Sequence, residues 1–338
     1  ADVPEDRLAP VELYLYSDNQ SDDALTLRFK QLAGSWKDCQ SLSHQELAQA
    51  IRADSIDVLF DLCGHFSHNR LPVFAARAAS TQVAWLGFPG PTATPNIDYY
   101  IGDAAVYQEG IDSIGDAKLL KLPNGFHCYR PPAEAPAIAS PPKESPYHFT
   151  FGCFNNAFKI SPQIAGLWGK ILAATPNARL VLKSRGFADL KVRQQVQQWI
   201  CTDKIDPTRV VFHQRTASLV DHLKAYGQID LALDTYPYHG TTTTCEALWM
   251  GVPTISLAGT EPQSRVGASL LKQAKLEHFI ASTPDAYLGI AKTLSERADY
   301  LTHLRNSLRT QLQQSDLIQP QSLSHPLAAA LSNWVEES

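Results

Sequence analysis

A glycine followed by four threonines, Gly240-Thr241-Thr242-Thr243-Thr244, then Cys245 and Glu246, brings together residue types suited to holding a diphosphate. The apolar segment Ile229-Asp230-Leu231-Ala232-Leu233 ahead of it reads as a strand buried on both faces of a parallel sheet. Gly240 permits a tight turn, and Thr241, Thr242 and Thr243 then open a helix. The first amides of a helix have no partner inside it and carry the positive end of its dipole, so a diphosphate is a natural occupant. Glu246, about one turn further on, is placed to accept hydrogen bonds from ribose hydroxyls. The competing reading is helix capping, for which Thr is well suited. One threonine suffices for a cap, so four in a row favour a ligand.

Three further segments could carry chemistry. Phe154-Asn155-Asn156-Ala157-Phe158-Lys159 leaves a strand at His148–Cys153 and ends at Ser161-Pro162, an N-cap followed by proline at the first helical position. Lys159 would there neutralise charge on a departing phosphate, and a solvated surface lysine is the ordinary alternative. Asp61-Leu62-Cys63-Gly64-His65-Phe66-Ser67-His68-Asn69 closes another strand with two histidines. Too few ligands stand nearby for zinc. His65 is a candidate base or acceptor contact, and equally a structural loop histidine. Trp85-Leu86-Gly87-Phe88-Pro89-Gly90-Pro91-Thr92 is a rigid loop whose Pro89 and Gly90 either wall a cleft or belong to the core.

The elements that must position these residues alternate as in an α/β protein. Strands are expected at Val11–Tyr16, Ile56–Leu62, Gln82–Leu86, Ile97–Ile101 and Lys118–Leu122, with helices at Asp22–Ala33 and Gln45–Ala53. Six prolines between Pro131 and Pro146 mark a stiff linker. The alternation then restarts with strands at His148–Cys153, Arg179–Lys183, Val210–His213, Ile229–Leu233 and Pro253–Leu257. Helices separate them at Pro162–Ala174, Lys191–Ile200 and Ser218–Tyr226, and helix is expected over Pro284–Gln314 and Pro326–Glu337. This pattern predicts domains at residues 1–130 and 148–338 joined by a linker at 131–147, with a ligand cleft at the carboxyl ends of the strands.

Composition removes several function classes. The 338 residues are 44% hydrophobic and 19% charged with a net charge of -5, values of a folded globular protein. The absence of a basic excess argues against nucleic acid as a partner. No run approaches the ~20 apolar residues of a membrane helix, and no signal pattern opens the chain, so a soluble cytoplasmic protein is expected. The six cysteines form no Cys-x-x-Cys pair, which makes metal or redox use unexpected and reduced thiols the default.

Taken together, these segments resemble the catalytic region of the protein O-glycosyltransferases typified by O-GlcNAc transferase, and more closely its SPINDLY branch. The resemblance rests on Asp61-Leu62-Cys63-Gly64-His65, Val83 to Gly90, Ile97-Asp98-Tyr99, Cys153-Phe154-Asn155-Asn156 with Lys159, and Leu233 to Pro253. These segments run in the family's order and spacing from about Val11 to the C-terminus. The resemblance implies a GT-B architecture with two Rossmann-like domains and a metal-independent, inverting transfer of a sugar to Ser or Thr hydroxyls of acceptor proteins. No cofactor is implied beyond the nucleotide-sugar donor. Lys159 would contact the diphosphate, Asn156 and His222 would lie against the nucleotide, Thr242 and Thr243 would bind the diphosphate, and Glu246 would hold the ribose. Metal independence would follow from Lys159 and the helix dipole together.

Two departures qualify the expectation. O-GlcNAc transferase carries His where this chain has Thr241, and the four-threonine form is that of SPINDLY-like proteins. The donor is therefore expected to be UDP-GlcNAc, with GDP-fucose as the alternative. The family's catalytic regions also begin with a further strand and a histidine-bearing loop, preceded by TPR repeats. The N-terminal domain is thus expected to lack its first strand and helix and to expose a sheet edge, and the chain to show weak or no catalysis alone. A nucleotide-sugar-binding module without catalysis is the rival reading, and an enzyme acting on a small molecule, glycan or lipid is a third.

Overall fold

The computed structural model describes residues 11–20, 22–140, 147–201 and 204–336. They form two compact units, one within residues 11–126 together with 320–336 and the other within His127–Gln319.

The first unit opens with β1 (Tyr14–Ser17), α1 (Ala24–Leu32), β2 (Ser35–Asp38) and α2 (His44–Ala53), followed by β3 (Val58–Asp61), α3 (Leu71–Ala75), β4 (Thr81–Ala84), β5 (Tyr99–Gly102), β6 (Ser113–Ile114) and β7 (Ala117–Lys121). β1 and β2 pair in parallel with each other, while the remaining strands form a second sheet in the order β3-β4-β5-β7-β6. α2 starts where a full capping box stands: the Ser43 hydroxyl accepts from the Glu46 amide, and Glu46 reaches back to the Ser43 amide.

The second unit contains β8 (Phe149–Cys153), α4 (Pro162–Ala174), β9 (Ala178–Lys183), α5 (Leu190–Ile200), β10 (Val210–His213), α6 (Leu219–Lys224), β11 (Leu231–Leu233), α7 (Thr242–Trp249), β12 (Thr254–Leu257), α8 (Val266–Gln273), β13 (Ile280–Ala281), α9 (Pro284–Ser295) and α10 (Ala298–Gln313). Its sheet runs β10-β9-β8-β11-β12-β13, with every recorded pairing parallel. The order reverses between β8 and β11, the switch point at which open α/β sheets bind ligands beyond the strand ends. Both strands are buried throughout, as a sheet covered by helices on both faces requires. A Cβ at Gly152 in β8 would lie 2.5 Å from the Ile229 side chain, so only glycine lets this segment pack there. α4 begins as its residues direct, with the Ser161 hydroxyl accepting from the Ile164 amide and Pro162 in the first turn.

Two boundaries differ from the sequence reading. The second unit starts at His127, because the end of the expected first domain and the start of the expected linker are strapped to it: Tyr129 N–H donates to Leu317 O at 2.7 Å, and Arg309 Nη2 donates to Pro136 O at 3.0 Å. The end of that linker, residues 141–146, lies outside the described residues. The final helix, α11 (Pro320–Glu336), belongs to the first unit rather than to the second domain. Its Leu323, Leu327, Ala330, Leu331 and Trp334 form one apolar stripe on the β3–β5 face, where the Trp334 ring lies 4.7 Å from Tyr99 and 6.3 Å from Phe60. The helix passes through Pro326 instead of starting there. Among the described residues, no helix is long and apolar enough to cross a membrane.

Candidate functional site

Lys159 is positioned by a single 3-10 turn over Ala157–Lys159 directly after β8. The Asn156 side chain accepts from the Phe158 amide at 3.2 Å, and Ser184 Oγ accepts from the Ala157 amide at 3.0 Å, so the turn is pinned at both its start and its flank. From it Lys159 Nζ donates to the backbone carbonyl of His239 at 2.7 Å and stands 3.9 Å from the centroid of the Tyr238 ring. Burial pushes its pKa down, with Asp234 acting in the opposite direction. An ammonium has three donors, and the carbonyl uses one.

The loop after β11 is organised by Asp234, which is 1% exposed. Its Oδ1 accepts from the amides of Gly240 at 2.8 Å and Thr235 at 2.9 Å and from Asn155 Nδ2 at 3.2 Å, and its Oδ2 accepts from Ser256 Oγ at 2.8 Å. A Cβ on Gly240 would lie 2.5 Å from Asn155 Oδ1, so the glycine is needed for this close approach rather than for a positive φ. α7 then starts with Thr241 as N-cap, and no side chain caps the helix. Thr244 Oγ1 turns back to Gly240 O at 3.3 Å, while Thr242 is exposed and Thr241 and Thr243 are half-buried. Capping therefore does not account for the threonines. The first-turn amides keep the anion-binding character of an uncapped helix start.

A second polar chain runs beside this helix. Lys183 Nζ, at the end of β9, stands 2.6 Å from His222 Nδ1, and His222 Nε2 stands 3.0 Å from Glu246 Oε2. Lys183 has only donors, so Nδ1 accepts and the Nε2 proton points to the carboxylate. Tyr226 Oη donates to Thr243 O at 3.1 Å and lies 3.4 Å from Glu246 Oε2. Burial lowers the pKa of Lys183, Glu246 opposes this and Arg215 reinforces it.

The structure thus gathers Lys159, Gly240, Thr241, Thr242, Thr243, His222 and Glu246 at the switch point and beside α7. Asn156 sits at the exposed tip of its loop and serves as the cap of the 3-10 turn, while the neighbouring Asn155 is buried against Asp234. Lys183 and Asp234 were not singled out from the sequence. The available signal was a charged residue at the C-terminal end of an apolar strand, Lys183 after Ala178–Leu182 and Asp234 after Leu231–Leu233.

His65, Pro89 and Gly90 lie in the first unit, in the loops after β3 and β4. Asp61 Oδ1 accepts from the amides of Cys63 at 2.9 Å and Gly64 at 3.1 Å. Gly64 has φ +58°, and a Cβ there would sit 2.7 Å from Phe88 Cβ, so the two loops meet backbone against side chain. His65 is exposed, its ring 5.2 Å from that of Phe88 in a T-shaped arrangement. All six cysteines are free, and no cluster of three or more His, Cys, Asp or Glu suited to a metal ion stands among the described residues.

Comparison with known proteins decides the family. The profile of glycosyl transferase family 41 matches residues 2–128 and 146–327. The chain belongs to glycosyl transferase family 41. Among curated members, it is 37% identical over 328 residues to a barley (Hordeum vulgare) protein named probable UDP-N-acetylglucosamine--peptide N-acetylglucosaminyltransferase SPINDLY. That match spans 96% of this chain and 35% of the barley protein. The Arabidopsis thaliana protein of the same name is 36% identical, over 95% of this chain and 36% of its own length. The family 41 chain therefore spans about a third of the length of these relatives. A mutant of Thermobaculum terrenum O-GlcNAc transferase superposes with a TM-score of 0.87 at 33% identity, over 96% of this chain and 62% of that one. Anabaena Alr3699/HepE, solved with UDP and glucose, has a TM-score of 0.56 at 16% identity and so shares the fold alone. The GT-B architecture expected from the sequence is the architecture of this family 41 chain.

Proposed function

We propose that this chain binds a nucleotide-sugar donor in its second unit and transfers the sugar to Ser or Thr hydroxyls of proteins, with UDP-GlcNAc as donor. The observation that carries this reading is the Lys159 ammonium held 2.7 Å from the His239 carbonyl just before the uncapped start of α7, at the switch point of the sheet. A diphosphate there would meet the remaining Lys159 donors, the Thr242 and Thr243 amides and the threonine hydroxyls, while Glu246 and His222 face the ribose. In the step proposed, the bond between the sugar anomeric carbon and the diphosphate oxygen breaks with its electron pair going to the diphosphate. The acceptor oxygen forms the new bond from the opposite face, inverting the configuration. Lys159 and the helix dipole stabilise the charge that grows on the departing diphosphate, the role given to a divalent cation in other enzymes. His65 is the sequence candidate for receiving the hydroxyl proton. The names of the relatives favour UDP-GlcNAc.

Thermal unfolding with UDP or GDP tests the reading, since a ligand that binds only the folded chain raises its stability by mass action. A rise with UDP, together with transfer of labelled GlcNAc to a protein acceptor, is the expected result. A rise with GDP alone would move the donor to GDP-fucose, and binding without transfer would leave a nucleotide-sugar-binding module. No rise with either nucleotide would overturn the reading.

A further inference from the structure

His239 sits between Tyr238 and Gly240, and its side chain, 1% exposed, faces away from the ligand surface into a polar pocket. Its Nδ1 lies 3.0 Å from the amide nitrogen of Gly267, in the first turn of α8, and its Nε2 lies 3.0 Å from the carbonyl oxygen of Leu257 at the end of β12. Ser256 Oγ is 3.2 Å and Asp234 Oδ2 3.6 Å from Nδ1. The proton positions follow from these partners. The Gly267 amide can only donate, so Nδ1 is bare, and the Leu257 carbonyl can only accept, so Nε2 carries the hydrogen. The single Ser256 hydroxyl hydrogen goes to Asp234 Oδ2 at 2.8 Å, because a carboxylate can only accept. A proton on Nδ1 would point at Ser256 and Asp234 and leave the Gly267 amide without its acceptor. Burial, helped by Lys159 and Arg265 and opposed by Asp234 and the Leu257 carbonyl, lowers the imidazole pKa and so keeps the neutral form.

The backbone of the same residue is tied on both sides. The His239 amide donates to Gln263 O at 3.1 Å, and the His239 carbonyl receives Lys159 Nζ at 2.7 Å. No space is left for the pocket to relax toward α8, since a Cβ at Gly267 would run into Ser256 Oγ and stand 2.6 Å from Asp234 Oδ2. We infer that the buried imidazole of His239 is a positioning residue for the Lys159 ammonium: by joining β12 and the start of α8 to the 234–240 loop, it fixes the carbonyl that anchors Lys159. The inference rests on the reading that Lys159 meets the donor diphosphate. Its physical basis is that one Lys159 proton is committed to a carbonyl whose place is set by buried hydrogen bonds, which leaves the other two aimed in a fixed direction.

The test compares His239→Ala, His239→Asn and Lys159→Ala in the full chain. Two readouts are used, and cooperative thermal unfolding establishes that each variant folds. The first needs no ligand: the 13Cε resonance of Lys159, identified by its loss in Lys159→Ala, is titrated with base. Asp234, Cys153 and the His239 carbonyl face this lysine, and burial dominates its lowered pKa. In folded His239→Ala the released ammonium reaches solvent and its midpoint rises toward the ordinary lysine value. His239→Asn keeps an acceptor for the Gly267 amide but not the donor to Leu257, so it gives a smaller rise, and it decides the question if the alanine variant does not fold. An unchanged midpoint in a folded variant overturns the inference.

The second readout is the affinity for UDP and GDP by calorimetry. His239→Ala weakens binding by about tenfold in the parent chain, ~1.4 kcal/mol, and by less than about twofold when Lys159 is already alanine. Equal factors in the two backgrounds would mean that His239 acts on the fold at large and would overturn the inference. If neither nucleotide binds the parent chain, the donor-site reading fails while the Lys159 titration still decides the role of His239.

Discussion

The loops at the strand ends of the two units are built on opposite plans. In the second unit, Asp234, Asn155, Ser256 and His239 form a buried polar network, and the charged side chain that emerges, Lys159, is hydrogen-bonded to its backbone. In the first unit, Asp61 holds the Cys63 and Gly64 amides, Gly64 and Gly87 let two loops approach closely, and His65 is left exposed beside Phe88. The difference suits the proposed roles. On that reading Lys159 answers phosphate charge, and such a group is best fixed and partly desolvated before the ligand arrives, because electrostatic stabilisation is strongest when no reorganisation is needed. A loop that displays a histidine and an aromatic ring needs only a firm backbone.

The sharpest way to break this contrast is Lys159→Ala, expected to lower transfer by about 10³-fold while shifting the thermal midpoint little, because the variant removes charge at the ligand and not core packing. In the parent chain the same plan predicts a loss of transfer on the alkaline side that begins below the ordinary lysine range, since burial lowers the Lys159 pKa and only the ammonium neutralises phosphate. A pH profile of kcat/KM checks it.

Acidification should act on the second unit through His127. Its burial pushes the imidazole pKa down to about 4, so between the ordinary value of 6.5 and about 4 only the unfolded chain gains the proton. Stability is therefore whole above pH ~6.5 and is lost as pH falls to ~4, by up to about 3 kcal/mol. Urea unfolding at several pH values should show this decline, and His127→Phe should make it shallower, leaving the share of His239 and His213, whose pKa values burial also lowers.

Gly240→Ala should cost about 2 kcal/mol and weaken the nucleotide-induced thermal shift, because the new methyl collides with the Asn155 side chain that holds Asp234. The smallest effect on stability is expected of His65→Ala, within about 0.5 kcal/mol and with the UDP or GDP thermal shift unchanged, as befits an exposed side chain. A lost nucleotide shift in that variant would erase the distinction between the two loop systems.

The threonine helix and the strand before it were readable because each obeys a local rule: a buried strand is continuously apolar, a glycine turns, and an uncapped helix start binds anions. The first helix of the second unit was legible down to its Ser161 cap and Pro162. Lys183 escaped notice because its meaning depends on His222 and Glu246, 39 and 24 residues apart along successive contacts. β2 and α3, four and five residues long, are too short to show a period, whereas α8 carries Val266, Leu270 and Leu271 at helical spacing and went unread. Helix over Pro284–Gln314 proved to be α9 and α10, divided near Glu296 with neither glycine nor proline to mark the break. α11 was foreseen as a helix but not as part of the first unit, since an apolar stripe does not state which sheet it will cover.

By itself, then, the sequence determined the α/β alternation, the threonine-opened helix after the buried strand and the family resemblance, all of which depend on neighbours within a few residues or on ordered motifs. Only the tertiary structure decided that Asp234 gathers the loop, that His239 fixes the carbonyl under Lys159, that Lys183 joins His222 and Glu246, and that the last helix returns to the first unit. The physical reason is range: backbone propensity and periodicity are written along the chain, whereas a buried hydrogen-bond partner or a covered apolar face exists only once distant strands have been brought side by side.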